Sequence, residues 1–147
     1  MSASAQNASI VKRLREMLQR QREKFHSYLA ILEQQERDIE EGDAEKLLVH
    51  VELEQAVIAE IFTLKKVIAP LEDLYQAAYP EPEPTIPPLA LTLEKMGAQV
   101  IARNTRNRAM LKDSMDALRE EIGSLRAWPR ASSPFAEVVP SFVDITT

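Results

Sequence analysis

Val11, Leu14, Leu18, Gln21, Phe25, Tyr28, Leu32, Gln35 and Ile39 follow one another at alternating steps of three and four residues. That spacing sets all of them along one narrow face of an α-helix and predicts a long arm that buries this seam against another helix. The pattern stops at Glu41-Gly42-Asp43. Gly42 is suited to the left-handed conformation that closes a helix, and Asp43 to capping the next one. The first helix is therefore predicted over residues 7–41, with Asn7 or Ser9 as its cap, about 32 residues past the cap giving a rod roughly 48 Å long at about 1.5 Å per residue.

A second seam, Leu47, Val51, Glu54, Ile58, Ile61, Lys65 and Ile68, is flanked by Leu48, Val57, Phe62, Leu64 and Leu71. It predicts a helix over residues 43–79 with a broad apolar face, folded antiparallel on the first. Pro70 removes a backbone donor and crowds the preceding turn, so a kink or stop is expected at 67–69, with residues 71–79 continuing at an angle. Glu54 and Lys65 fall on the seam itself. They form a polar layer that fixes register, or they face outward if the seam is shifted toward Gln55 and Phe62.

Residues 80–88 hold five prolines and are read as a stiff, extended linker. A spacer fits better than a recognition motif, because no basic residue flanks the run. A third helix is predicted over 89–127, marked by Leu93, Met96, Val100, Asn104, Asn107, Leu111, Met115, Leu118, Ile122 and Leu125. Beyond it, residues 128–147 carry Pro129, Pro134 and Pro140 among Phe135, Val138, Val139 and Phe142, which predicts an irregular, flexible tail. The expected fold is all-α and a single domain: a long antiparallel helical hairpin plus a third long helix in an elongated bundle. Only three glycines occur, among abundant helix formers.

A net charge of −5 argues against duplex nucleic acid as a partner, since phosphate neutralisation needs a cationic surface. The absence of cysteine excludes disulfides and thiolate metal sites and permits a cytoplasmic address. Residues 1–9 lack the apolar core of a secretory signal, and no apolar run approaches the roughly 20 residues that cross a bilayer, so no membrane insertion is expected.

One spacing carries potential chemistry. Glu23-Lys24-Phe25-His26 has the Glu-x-x-His form used by paired-metal helical bundles. Such a cage needs a second copy, and His50 has Leu47 three positions before it and Glu54 after it. A solvated helix face accounts for both histidines. Most of the glutamates at 33, 36, 40, 41, 52, 54 and 60 alternate with Gln, Lys or Arg off the seam and read as outer faces of helices, Glu54 being the exception. No catalytic residue, metal ligand or cofactor site is predicted, and the chain is not expected to be an enzyme.

Two basic clusters, Lys12 to Lys24 and Arg103, Arg106, Arg108 and Lys112, are candidate surfaces for an acidic partner. They serve equally to complement the acidic second helix, which carries Glu45, Glu52, Glu54, Glu60, Glu72 and Asp73. Met110 and Met115 lie beside Leu111 and Leu118, and flexible thioethers adapt to varied apolar partners. Three helices leave a groove for a fourth, supplied by the tail, a second copy or a client.

The run Ile39-Glu40-Glu41-Gly42-Asp43-Ala44-Glu45-Lys46-Leu47 and the stretch Asn104-Thr105-Arg106-Asn107-Arg108-Ala109-Met110-Leu111 resemble the FlgN-type flagellar export chaperone family over about residues 10–127. The resemblance implies a cytoplasmic chaperone that holds the C-terminal amphipathic segment of hook-associated proteins before type III export. It carries client binding onto Asn104, Asn107, Met110, Leu111, Met115, Leu118, Ile122 and Leu125. Family members often have Tyr and then Gly after the third helix, a segment associated with export-apparatus docking. Here Trp128-Pro129-Arg130-Ala131-Ser132 occupies that place, and Trp128 is the candidate for the aromatic. The alternative is a self-assembling coiled-coil scaffold or adaptor whose exposed seam pairs with a second copy.

Overall fold

A computed structural model describes residues 3–125, which form three α-helices: α1 (Ala3–Glu41), α2 (Ala44–Ala78) and α3 (Ile86–Ser124). No strand occurs among the described residues. The predicted tail at 128–147, Trp128 and the predicted helix end at 127 lie outside them.

Helix α1 is the centre of the fold. It packs against both α2 and α3, whereas no comparable packing joins α2 to α3. The three-four seam explains this: Val11, Leu14, Leu18, Gln21, Tyr28, Leu32, Gln35 and Ile39 are buried, with Phe25 half-buried. The helix starts at Ala3, several residues before the predicted cap, because the alanine- and serine-rich N-terminus contains nothing that stops a helix.

Two residues reverse the chain. The Gly42 amide donates to the Ile39 carbonyl at 3.2 Å and the Asp43 amide to the Asp38 carbonyl at 2.9 Å, the paired bonds of a Schellman closure. Gly42 has φ +70°, a region that glycine enters without a Cβ penalty. The Asp43 carboxylate then accepts from the Lys46 amide at 3.1 Å and caps α2.

Helix α2 runs through Pro70 without ending, so of the expected kink or stop the stop is excluded. Pro70 is on the exposed face, where the Lys66 carbonyl that loses its intrahelical donor is open to water. The helix buries Leu47, Glu54, Ile61, Ile68 and Tyr75, one residue every seventh position. Val51 and Ile58 are half-buried and Lys65 is exposed, so the contact stripe is narrower than the apolar face.

Helix α3 begins at Ile86, so Pro87 and Pro88 lie in its first turn and not in the linker, as the sequence reading had placed them. First-turn amides have no partner inside the helix, and proline forfeits nothing there. The connector is anchored on both sides. The Glu83 amide donates to the Tyr75 hydroxyl at 2.7 Å, and the Arg15 guanidinium donates to the Thr85 hydroxyl at 3.2 Å.

Apolar burial divides into two clusters. One joins Val11, Leu14, Met17 and Leu18 of α1 to Ile68, Tyr75 and Ile86 near the connector. The other joins Tyr28 and Leu32 to Ile61 and Val100.

Candidate partner-binding surface

Above the second cluster the helices meet through a buried polar layer. Glu54 is 2% exposed. Its carboxylate accepts from the Tyr28 hydroxyl at 3.1 Å and from the Gln35 amide at 2.9 Å. Asn104 of α3 donates to the Tyr28 hydroxyl oxygen at 3.3 Å, and Asn107 donates to the Leu32 carbonyl at 2.8 Å. Every helix therefore contributes to one network, and a slip of any helix by a turn would leave buried groups unmatched. Of the two sequence readings of Glu54, the polar layer is the observed one, and Phe62 lies out at 58% exposure.

Burial pushes the Glu54 carboxyl up from its ordinary value of 4.5, against the opposing pull of the Gln35 and Tyr28 hydrogen bonds and the positive charge of Arg108. Burial and the neighbouring Glu54 charge also raise the Tyr28 phenol. The folded chain thus holds the Glu54 proton more tightly than the unfolded chain. Its contribution to stability is complete below about pH 4.5 and is lost as pH rises through the raised value. Glu54→Gln lacks this titration. The urea midpoint of the parent relative to that variant is expected to fall as pH is raised from about 4 toward neutrality, and a constant difference would contradict the assignment.

Charged pairs hold the flanks. Arg106 meets Glu36 at 2.9 Å, and Arg103 reaches Glu36 at 3.5 Å and Glu33 at 3.6 Å, so these α3 arginines complement α1 and not the acidic second helix. Lys24 pairs with Glu60 of α2. His26 is exposed, whereas His50 is half-buried with its Nδ1 against the buried carboxylate of Asp38, which corrects the reading of both histidines as solvated. Glu23 and His26 are both on an exposed face of α1, and no group of three or more metal-ligating side chains occurs among the described residues. Among those residues no helix is long and apolar enough to cross a membrane.

The residues assigned to client binding separate into two sets. Asn107 is buried and Asn104 half-buried, both bonded to α1 as above. Met110, Leu111, Met115 and Leu118 are half-buried, and Ile122 and Leu125 are exposed at 41% and 53%. The cause is the relative length of parallel helices. Asn107 lies beside Leu32 and Asn104 beside Tyr28, offsets of 75 and 76 residues. Carried to the end of α1 at Glu41, that offset reaches only to about residue 116 of α3. The final turns of α3 project past the hairpin by roughly 12 Å, and no residue after Asn107 is fully buried among those described. From Met115 the three-four spacing continues through Leu118, Ile122 and Leu125 along this projection, an apolar seam past the end of α1.

Sequence reasoning did not pick out Tyr28, Gln35 and Asp38 as members of polar contacts. The signal was the presence of Gln21 and Gln35 on an otherwise apolar seam.

An uncharacterized protein of Treponema pallidum (strain Nichols) is 40% identical over 124 residues, spanning 84% of this chain and 79% of that protein. No family model matches the chain, and no solved structure matches it.

Proposed function

The chain belongs to the same family as this treponemal protein, and we propose that it is a non-enzymatic cytoplasmic chaperone for flagellar type III export. It binds the C-terminal amphipathic segment of a hook-associated protein, one that joins hook to filament. The observation that supports this reading is the projecting end of α3. Leu118, Ile122 and Leu125 form a helical seam that no described helix faces, continuous with Met115, and an amphipathic client helix supplies the missing face. Burial of apolar area against that seam provides the affinity. Asn104 and Asn107 act at one remove, holding α3 in register on α1 so that the projection keeps its direction. The hairpin is a frame for the elongated bundle, and the proline-rich connector is the spacer that sets where α3 begins. Trp128, just past the helix, is the residue we assign to export-apparatus docking.

The test is light scattering on the full chain mixed with a peptide from the C-terminus of a hook-junction protein. A 1:1 complex at micromolar concentration is expected. Absence of a complex would overturn the proposal, and a stable homodimer that excludes the peptide would favour the self-assembling scaffold.

A further inference from the structure

An open groove of about 470 Å³ runs between α2 and α3 along the opposite half of the bundle from the α3 projection. Leu18, Gln21 and Phe25 of α1 contribute to its floor, and Tyr75 of α2 and Ala90 and Leu93 of α3 to its walls. Two large apolar side chains extend it. Phe62 stands one turn before Lys65 on the α2 wall, and Ile101 two turns after Glu94 on the α3 wall, so each continues its wall's flank. They are 58% and 69% exposed. The floor is not purely apolar. Gln21 is 5% exposed, and its side-chain carbonyl oxygen has no hydrogen-bond partner among the described residues. A buried acceptor of this kind fits an occupant that brings an N–H group.

We propose that this groove is the docking surface for the chain's own C-terminal segment, residues 135–142, laid extended and antiparallel to α3. Reach is the first support. Measured back from Leu125 at about 1.5 Å per residue, Ile101 lies about 36 Å and Ala90 about 52 Å along α3. An extended or polyproline chain advances about 3.1 to 3.4 Å per residue, which sets Phe135 at about 31 to 34 Å and Phe142 at about 53 to 58 Å from the same point. The segment's two aromatic residues therefore fall at the two ends of the groove.

Chemistry is the second support. Phe135, Val138, Val139 and Phe142 are the apolar residues needed to cover Leu18, Phe25 and Phe62. Pro129, Pro134 and Pro140 bias the segment toward the extended form and remove backbone donors that a helical wall does not satisfy. The remaining amides include one for the Gln21 oxygen. Glu137 is the one charged residue in 135–142, and Lys65 offers it a counter-charge in a lining that also carries Glu72 and Glu94. This docking does not depend on whether the α3 projection holds a client.

The chain has no cysteine, so a pair introduced for trapping reports without background. Ser141 matches the level of Ala90, and Lys95 is exposed about 140° around α3 from Ala90. In the full chain under mild oxidation, Ala90→Cys with Ser141→Cys is expected to form its disulfide within one chain at least ~10-fold faster than Lys95→Cys with Ser141→Cys, read by non-reducing gel and peptide mass spectrometry. Adding Phe135→Ser and Phe142→Ser is expected to erase that advantage while circular dichroism stays unchanged. Equal rates for the two pairs, or an advantage that survives loss of both phenylalanines, would overturn the proposal. So would cross-links that form between chains and rise with concentration, which would make a second copy the occupant.

Discussion

Leu32→Ala is expected to lower the unfolding free energy by about 3 kcal/mol, a fall in midpoint temperature of about 6 to 12 °C for a chain of this size. Leu32 is 0% exposed, within the cluster formed by Tyr28, Ile61 and Val100. Its side chain fills the point where all three helices approach, and its carbonyl accepts the Asn107 amide. Truncation removes the transfer energy of the lost methyl groups and leaves a cavity that long helices, tied together above it by the polar layer, close only in part. A urea titration at unchanged slope measures the loss. Leu53→Ala, at 49% exposure, is the matched comparison and should stay within about 0.5 kcal/mol. If Leu32→Ala is equally mild, the helices do not close around that residue.

Leu118→Asp combined with Ile122→Asp is expected to weaken binding of the client peptide at least ~100-fold, equivalent to about 2.7 kcal/mol, with the urea midpoint of the free protein unchanged. Both effects follow from position. These residues lie beyond the level at which α1 ends, so few internal contacts are lost. In a complex, each carboxylate would be carried into an apolar interface without a counter-charge. Isothermal calorimetry on the full chain checks the affinity. A variant that binds as tightly as the parent would place the client elsewhere.

Much of the frame is legible in spacing alone, and the reasons differ by element. The α1 seam is unambiguous because a strict alternation of three and four fits no other backbone period. Gly42-Asp43 marks the reversal because both residues have conformational roles that few others fill. Helix α2 is harder: apolar side chains surround Leu47, Glu54, Ile61, Ile68 and Tyr75, so its sequence does not single out the narrow buried stripe. Pro70 leaves a stop and a continuing helix both open in the sequence, since the outcome depends on whether the carbonyl it orphans is open to water. Pro87 and Pro88 mislead, because the same residue that breaks a helix interior is tolerated in its first turn.

The candidate site was legible as a region and not as a surface. From Leu93 to Leu125 the α3 seam keeps one rhythm, and nothing in that rhythm tells where the facing helix stops. That requires the offset between α1 and α3, which is a tertiary quantity fixed by the Tyr28–Asn104 and Leu32–Asn107 contacts. Asn104 and Asn107 interrupt the seam and so attract a functional reading, yet their amides are bonded within the fold. Glu54 was ambiguous for a related reason: its burial is decided by Tyr28 and Gln35, which belong to another helix.

The central position of α1 also orders events in time. Contacts between α1 and α2 close a short loop, as in Asp38 with His50, only 12 residues apart, whereas the hydrogen bonds between α1 and α3 join residues 67 to 76 apart. Short closures lose less chain entropy and form sooner, and α2 follows α1 from the ribosome. The hairpin therefore assembles as a nascent platform before α3 exists to dock on it. The end of α3 proposed to receive a client is thus made after the platform from which it projects.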